Sequence, residues 1–346
     1  MTVARSGTVV VAMDKFRDTA TAKNLCDAVA EVVRHHNLIA DPQPMSDGGE
    51  GFTAAFTGDL EEVTVSGPLG DAVTAPLLFT VIDGHRTAIF EVADVVGRAH
   101  LPNPTHEQAM AASSAGVGQA ILAAASRGAT SIPLGCGGSA TSDGGLGCYE
   151  VLRAAGGLPA TVRAATDVTA RFSGARRYAV QKGVAVARIG EIDERLTKIR
   201  AQYLEEQGIE VELVERTGAA GGIPAALLAL GATVVDGFDE VARAVHLHQR
   251  VARASLVITG EGRFDDGSLE GKVTVSVSEL VTTASLLVVC GAVEPGAREA
   301  FGERFPRARL ISLIDRFGVN PALTETARCV VEVVDGFLTA PGRTTS

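Results

Sequence analysis

The sequence lacks cysteine pairs and long apolar runs. The five cysteines are odd in number, widely spaced and without a C-x-x-C pair: Cys26, Cys136, Cys148, Cys290 and Cys329. This pattern excludes a disulfide framework or zinc site and favours reduced thiols in the cytoplasm. No apolar run approaches the about 18 residues of a membrane helix, and TVVVAM (8–13) is too short for a signal peptide. We therefore expect a cytoplasmic protein without a membrane partner.

Positive charge is also scarce. The 346 residues carry 31 Lys and Arg against 41 Asp and Glu, a net charge of -10. Such a surface repels polyphosphate backbones, so nucleic acid is excluded as a partner. An anionic small molecule must be bound by local donors or together with a divalent cation, which indicates Mg²⁺ if the ligand is a nucleotide. The length and the 46% hydrophobic content favour two domains with substantial cores.

Several common catalytic motifs are missing. The nearest match to a P-loop, residues 267–273, is one residue short and ends in valine instead of Ser or Thr. Without a G-x-S-x-G elbow there is no basis for a serine hydrolase. Gly135-x-Gly137-x-x-Ala140 fits a dinucleotide fingerprint, but the next residues do not open a helix and no suitable acid follows, which disfavours an NAD-dependent dehydrogenase.

Short aliphatic runs alternate with segments of helical period at both ends of the chain. This pattern predicts a parallel sheet covered by helices. The predicted strands are 8–13, 255–260, 285–291 and 309–314, and the predicted helices include 21–35, 239–254 and 320–338. In the middle, Thr105 and Gln108 form a capping-box pattern that opens one long helix or two over 105–128.

The segment GCGGSATSDGGLG (135–147) contains six glycines, three hydroxyl residues and one acid. A predicted strand precedes it and a predicted helix follows. A tight turn between them explains two or three of these glycines, but six indicate backbone that approaches a ligand closely. Because helix N-termini favour anions, the segment predicts a phosphate site near Ser142 or Asp143.

Four further stretches place glycine beside acidic, basic or hydroxyl residues. They are AMDKFRD (12–18), MSDGGEGF (45–52), TGAAGGIP (217–224) and ITGEGRFDDGSLEGK (258–272). Each alone is typical of a solvated turn. Several follow predicted strands, however, and open α/β sheets bind ligands at the carboxyl ends of their strands.

Taken together, these segments resemble the bacterial glycerate kinase family. The matching segments, in the order of the family, are AMDKFRDTATA (12–22), PMSDGGEGF (44–52), VSGPLG (65–70), GCGGSATSDGGLG (135–147), DVT (167–169), QKG (181–183), TGAAGGIPAAL (217–227), LVITGEGRFD (256–265) and LEGKV (269–273). The resemblance implies an α/β fold of two domains with the active site in the cleft between them. A flavodoxin-like parallel-sheet domain would comprise 1–85 and 245–346, and the inserted α/β domain 86–244.

The resemblance also implies ATP- and Mg²⁺-dependent phosphorylation of a hydroxyl of D-glycerate. The implied catalytic residues are Asp143, Asp167, Lys15, Arg17 and Arg263. The implied nucleotide-binding residues are Gly137, Gly138, Ser139, Ala140, Thr141, Gly221, Gly222 and Glu261, and the implied substrate-binding residues are Asp47, Gly48, Gly49 and Lys182. In this interpretation the N–H groups of 137–141 bind phosphate. Of Asp143 and Asp167, one binds Mg²⁺ and the other accepts the hydroxyl proton. Lys15, Arg17, Lys182 and Arg263 would bind the glycerate carboxylate or the γ-phosphate.

The chain departs from the family pattern at a few positions. Ala170–Phe172 replaces Asn-Pro-Leu, Arg17 replaces a lysine, Ser142 replaces an asparagine, and the connector between 157 and 165 is short. A kinase of a related hydroxy acid and a non-catalytic nucleotide or glycerate binder therefore stay open as alternatives, as does a homodimer.

Overall fold

A computed structural model describes residues 7–269 and 271–340. Its strands are β1 (Thr8–Met13), β2 (Ile39–Pro42), β3 (Asp59–Ser66), β4 (Ala72–Ile82), β5 (His85–Glu91), β6 (Ser131–Gly135), β7 (Thr161–Thr166), β8 (Thr233–Asp236), β9 (Leu256–Gly260), β10 (Arg263–Phe264), β11 (Ser285–Cys290), β12 (Ala292–Val293) and β13 (Arg309–Ser312).

The helices connect these strands and cover the sheets. They are α1 (Ala22–His35), α2 (Val92–Val96), α3 (His106–Ala111), α4 (Ala115–Ser126), α5 (Leu146–Ala154), α6 (Ile189–Gln207), α7 (Ile223–Ala229), α8 (Gly237–Ala244), α9 (Leu247–Ala252), α10 (Asp266–Leu269), α11 (Val273–Leu280), α12 (Pro295–Arg304), α13 (Leu313–Phe317), α14 (Val319–Thr324) and α15 (Thr326–Thr339). Short 3-10 turns lie at Thr53–Ala55, Arg98–His100, Phe172–Tyr178, Val180–Lys182, Val186–Arg188, Val211–Leu213 and Ala219–Gly222.

The chain forms two compact units. Among the described residues, unit 1 contains 7–46, 54–56, 241–269 and 271–340, and unit 2 contains 47–53 and 57–240. The expected first boundary at residue 85 differs from this division. Residues 57–85 belong to unit 2 because β3, β4 and β5 continue the hydrogen-bonded sheet of β6.

Unit 1 has a parallel sheet with the strand order β13-β11-β9-β1-β2. Numbered within the unit, this order is 2-1-3-4-5 read from the β2 edge, which is the flavodoxin order. The flavodoxin-like α/β prediction is therefore confirmed. After β1 the chain adds β2 on one side, and later β9 on the other, so the order reverses between β1 and β9.

The core of unit 1 lies between this sheet and two helices. Alternate side chains of β1, Val9, Val11 and Met13, belong to one buried apolar cluster with residues of α1 and α15. Burial on both faces explains why β1 is continuously aliphatic. The Thr21 hydroxyl accepts a hydrogen bond from the N–H of Asn24 and so caps α1 at the predicted start.

Unit 2 has a mixed sheet with the strand order β3-β4-β5-β6-β7-β8. The first two pairs are antiparallel and the last three are parallel. Asp83 and Gly84, both with positive φ, connect β4 to β5 in a two-residue turn, as Asp-Gly sequences favour. The carboxyl ends of the four parallel strands consequently share one edge.

Helices α4 and α5 pack against each other, and their side chains belong to the core of this sheet. The predicted capping box of Thr105 and Gln108 is confirmed at α3. The apolar stretch His106–Ser126 passes a length and hydropathy test for a membrane span, but half of it is buried in the protein. It also consists of two helices, and α4 has only 12 residues, fewer than the about 20 that cross a bilayer.

Two helices predicted as continuous are interrupted. The helix expected over 320–338 divides into α14 and α15 at Glu325, where the Thr326 hydroxyl donates to the carbonyl of Ala322 at 2.7 Å. Such a bond to the residue four positions earlier competes with the helix backbone. The helix expected over 239–254 is broken at His246, which has a left-handed backbone.

Candidate functional site

The point of strand-order reversal in unit 1 carries two buried acids. Asp14 follows β1 and Glu261 follows β9, and both are at most 8% exposed. The N–H of Asp14 donates to the carbonyl of Gly260 at 3.0 Å, which joins the two strand ends. Ligands of open α/β sheets bind at such a reversal point.

Glu261 has an unusual environment. Burial raises the pKa of its carboxyl to about 8, Asp14 raises it further, and Ser268 and Lys272 oppose the shift. Its Oε1 atom is buried and has no hydrogen-bond partner among the described residues. The carboxyl is therefore largely protonated at neutral pH and can donate a hydrogen bond.

The predicted cations of unit 1 have different environments. Arg17 is exposed and Lys15 is half-buried. Arg263 is also exposed, and its guanidinium forms ion pairs with Glu294 and Asp265. Lys15 directly follows Asp14 at the reversal point, and its N–H donates to the Asp14 carboxylate at 2.7 Å.

In unit 2, the segment 135–147 is confirmed as a strand end, a loop and a helix start. We call residues 136–145 the glycine loop. It follows β6 at the carboxyl edge of the sheet and leads into α5. The strand end is tightly packed, because a Cβ atom on Gly135 would lie 2.8 Å from Cβ of Phe52.

The glycine loop offers fewer free backbone donors than expected. The N–H of Ala140 donates to the carbonyl of Val96 at 2.8 Å, and that of Thr141 donates to its neighbour Ser139 Oγ at 3.2 Å. Across 7–269 and 271–340, the N–H groups of Gly137, Gly138 and Ser139 donate to no protein acceptor. The possible phosphate cradle is therefore 137–139 instead of 137–141.

The turn at Asp47–Gly49 lies against this edge of unit 2. A Cβ atom on Gly48, whose φ is +90°, would lie 2.9 Å from Cα of both Thr166 and Gly237. A Cβ atom on Gly137 would likewise lie 2.8 Å from Cα of Gly49. These glycines permit the turn to contact the ends of β6, β7 and β8, and Asp47 accepts the N–H of Gly49 at 3.1 Å.

Three charged residues that the sequence interpretation missed complete this edge. Glu91, the last residue of β5, accepts the N–H groups of Gly51 and Thr53 at 3.1 and 3.0 Å. Arg216 donates to the carbonyl of Thr166 at 3.1 Å and pairs with Asp236 at 2.7 Å. Burial raises the pKa of Asp236, and Arg216 opposes that shift. The available signal was position, because Glu91 and Asp236 each end a strand.

The two aspartates predicted as catalytic are placed very differently. Asp167 follows β7 and is exposed at the carboxyl edge. Asp143 is buried, and its carboxylate accepts four hydrogen bonds: from the N–H and hydroxyl of Ser114 at 2.8 Å each, and from the N–H groups of Gly145 and Gly147 at 3.2 Å. Asp143 thus ties the start of α5 to the start of α4.

Lys182 lies beneath the glycine loop. It is 6% exposed, and its Nζ donates to the Thr141 carbonyl at 2.8 Å and to Ser139 Oγ at 3.3 Å. Burial lowers the pKa of this amine to about 8, while Asp143 raises it and Arg98 lowers it further. The Lys182 ammonium therefore contacts the loop itself.

The predicted pair Gly221 and Gly222 also contacts the glycine loop. Their φ values are +74° and +101°, and Cβ atoms there would lie 2.0 Å from the Thr141 carbonyl oxygen and 2.7 Å from Cα of Gly144. The neighbouring Ala220 carbonyl accepts the Ser139 hydroxyl at 3.0 Å. These glycines thus permit a close approach between two protein backbones.

Arg98 is a fourth missed residue. Its N–H donates to the carbonyl of Gly138 at 3.0 Å, which places it directly beside the cradle. Its guanidinium is exposed, and it takes part in none of the ion pairs or hydrogen bonds found among the described residues. The tertiary pairing of Gly97 with Ser139 brings Arg98 to the loop, and no local sequence pattern predicts a pairing between such distant residues.

Metal-binding capacity at these sites is modest. Within the described ranges, no group of three or more His, Cys, Asp or Glu side chains could hold a metal ion. A site for Mg²⁺ does not need one, because Mg²⁺ in phosphoryl-transfer enzymes is commonly bound by one or two carboxylates together with substrate phosphates and waters. Asp167, an exposed carboxylate at the carboxyl edge, fits that requirement.

The sequence and the fold both match known proteins. A sequence model of the glycerate kinase family matches residues 9–157 and 158–333. The glycerate 2-kinase of Escherichia coli (strain K12) is 32% identical over 314 residues, covering 79% of this chain and 81% of its own. The glycerate kinase of Halalkalibacterium halodurans is 30% identical over 381 residues, covering 95% and 98%. A crystal structure from Salmonella typhimurium LT2, provisionally described as glycerate kinase 2, has a TM-score of 0.78 and 25% identity, covering 96% of this chain and 97% of its own. The resemblance seen in the sequence is confirmed, and the chain belongs to the glycerate kinase family.

Proposed function

We propose that this protein phosphorylates a hydroxyl of D-glycerate with ATP as donor and Mg²⁺ as cofactor. Membership of the glycerate kinase family supports the reaction class. The observation that carries the assignment of the phosphate site is that the N–H groups of Gly137, Gly138 and Ser139, at the carboxyl end of β6, donate to no acceptor in the described part of the chain. Backbone N–H groups that converge in a glycine-rich loop bind phosphate oxygens.

Arg98 is proposed to assist the loop. Its guanidinium is exposed beside Gly138, and a planar guanidinium binds phosphate through two parallel hydrogen bonds. A local cation is needed here, because the protein carries a net charge of -10 that opposes an anionic ligand.

We assign Asp167 as the residue that binds Mg²⁺ or accepts the hydroxyl proton. When bound, the ion would neutralise charge on the transferred phosphoryl group. Asp47 is the second candidate for these roles, because its turn packs against Thr166, the residue before Asp167. Asp143, the other candidate from the sequence, is not assigned to these roles. Because the Asp143 carboxylate already accepts four hydrogen bonds from the protein, we propose that Asp143 holds the glycine loop in its conformation.

The carboxyl edge of the unit 1 sheet carries the other residues that are proposed to bind ligand groups. Lys15 and Arg17 are proposed to bind the glycerate carboxylate or the transferred phosphate, as is Arg263 if it leaves Glu294. Glu261 is proposed to donate a hydrogen bond to the nucleotide, because burial keeps its carboxyl protonated at neutral pH.

We also propose a cytoplasmic enzyme with a small-molecule substrate and no nucleic-acid partner. All five cysteines are buried and unpaired, as expected for a reducing compartment. Whether two copies associate is decided by measuring the molar mass in solution.

The decisive assay measures ADP release from ATP with D-glycerate, with Mg²⁺ or EDTA and with a blank without acceptor. We expect turnover that requires glycerate and the metal. The test variant is Asp167→Asn. The control is Asp59→Asn at the start of β3, which is also exposed and lies in the same unit. ADP release at the same rate with and without glycerate would refute the proposal.

The same assay with a panel of other small hydroxy acids tests the alternative acceptor. The motivating feature is the Ala170–Phe172 segment, whose Phe172 is buried in the core of unit 2. Turnover with another acid at a higher kcat/KM than with D-glycerate would reassign the substrate. Stabilisation by glycerate or ATP without ADP release would indicate a non-catalytic binder.

A further inference from the structure

The glycine loop is fixed from three sides. Gly97 pairs with Ser139 as an antiparallel bridge, and the N–H of Arg98 donates to Gly138. The backbone carbonyl of Ala220 accepts a hydrogen bond from the Ser139 hydroxyl. From below, Lys182 donates to the Thr141 carbonyl and the Ser139 hydroxyl.

Lys182 is unusual among these contacts because it brings a charge into the interior. Its two bonds go to neutral oxygen atoms, and it is almost fully buried. The charged groups that act on it are Asp143 of the loop, which favours the ammonium, and Arg98, which disfavours it. A buried cation that lacks a carboxylate partner is costly. The cost is offset when an anion binds nearby.

We propose that Lys182 is a positioning residue that never contacts the ligand: its ammonium fixes residues 139–141 and supplies the buried positive charge that lets the N–H groups of 137–139 bind a phosphate. The inference rests on the proposed function, since it requires phosphate at the glycine loop. It replaces the expectation that Lys182 binds the substrate directly.

Two consequences have opposite signs. Because burial lowers the pKa of Lys182 from 10.5 to about 8, the unfolded chain binds more protons than the native protein between these pH values. The contribution of this amine to the free energy of unfolding therefore rises as the pH increases from about 8 towards 10. Over the same range the loop loses its cation, so phosphate affinity falls.

The experiment is titration calorimetry of the full chain with Mg·ADP between pH 7 and 9.5, in buffers of different ionisation enthalpy. We expect the affinity to fall about fivefold or more and each binding event to take up protons near pH 8 to 9. The phosphates themselves, with a second pKa of about 6, do not titrate there. Lys182→Met should bind weakly at pH 7, without proton uptake and with a flat pH profile.

The matched control is Lys198→Met, which removes an exposed lysine of α6 in the same unit. Equal affinities of the two variants, or a wild-type affinity that is constant from pH 7 to 9.5, would overturn the inference alone. Absence of Mg·ADP binding by the wild type at pH 7 would overturn the proposed function as well. If Lys182→Met does not fold, the proton uptake of the wild type still decides.

Discussion

The close contact between Gly221 and the glycine loop allows a sharp test of how the loop is shaped. In Gly221→Ala, the new Cβ would lie 2.0 Å from the Thr141 carbonyl oxygen, which is backbone and has little freedom to move. The control is Gly231→Ala, after α7 in the same unit. Gly231 also has a left-handed backbone, with φ +98° against +74°, but no atom lies within 4 Å of its Cβ position.

The two substitutions share one cost and differ in another. A left-handed backbone at alanine costs roughly 1–2 kcal/mol, and this applies to both variants. Overpacking adds about 1–3 kcal/mol at Gly221 only. At about 2–4 °C per kcal/mol for a unit of this size, Gly231→Ala should lower the Tm by roughly 2–8 °C and Gly221→Ala by a further several degrees.

Thermal unfolding monitored by circular dichroism measures these shifts, and the steady-state KM for ATP measures the effect on the loop. We expect the KM to rise only in Gly221→Ala, because Thr141 must move. Equal Tm shifts and equal KM values in both variants would refute the argument that Gly221 is required by contact with the glycine loop.

The other predictions concern single acidic residues. Asp167→Asn should lower kcat by about 100-fold or more; unchanged turnover would contradict its role. Asp143→Asn should destabilise the protein by about 1–3 kcal/mol in urea denaturation, because an amide nitrogen cannot accept from Ser114 and Gly147 as the carboxylate does; an unshifted midpoint would contradict this. Burial raises the pKa of Glu261 from 4.5 to about 8, so its contribution to stability is present below pH 4.5 and lost as the pH rises through 8. Glu261→Gln should therefore flatten the decline of the urea midpoint between pH 5 and 8.5, and a wild-type profile without that decline would argue against a buried protonated carboxyl.

Local patterns predicted the elements that depend on neighbouring residues. The aliphatic run of β1, the Thr21 cap of α1 and the capping box at Thr105 all lie where the sequence placed them. The glycine loop between β6 and α5 was also predicted. In each case the determining interactions span only a few residues.

The prediction from sequence was incomplete where residues distant in the chain supply the hydrogen-bond partners of a site residue. Ala140 was expected to donate to a phosphate, but its N–H is occupied by the carbonyl of Val96, 44 positions earlier. Arg98 reaches the loop through the same pairing. Asp143 is the aspartate of the motif, yet its carboxylate accepts hydrogen bonds from the N–H groups of Ser114 and of Gly147 in α5. A motif gives the residue type at a position and not the donors that tertiary structure directs at it.

The strand order of unit 1 also determines how the chain can fold during synthesis. β1 pairs with β9, so residues 9–13 cannot form this strand pair until residues 256–260 have been synthesised. All strands of unit 2 lie between them in sequence. With synthesis at about 5–20 residues per second, the aliphatic β1 and the apolar face of α1 stay without their later partners for roughly 10 to 50 seconds. Unit 2 can therefore complete its core first, and the newly made N-terminal segment is where a chaperone would act.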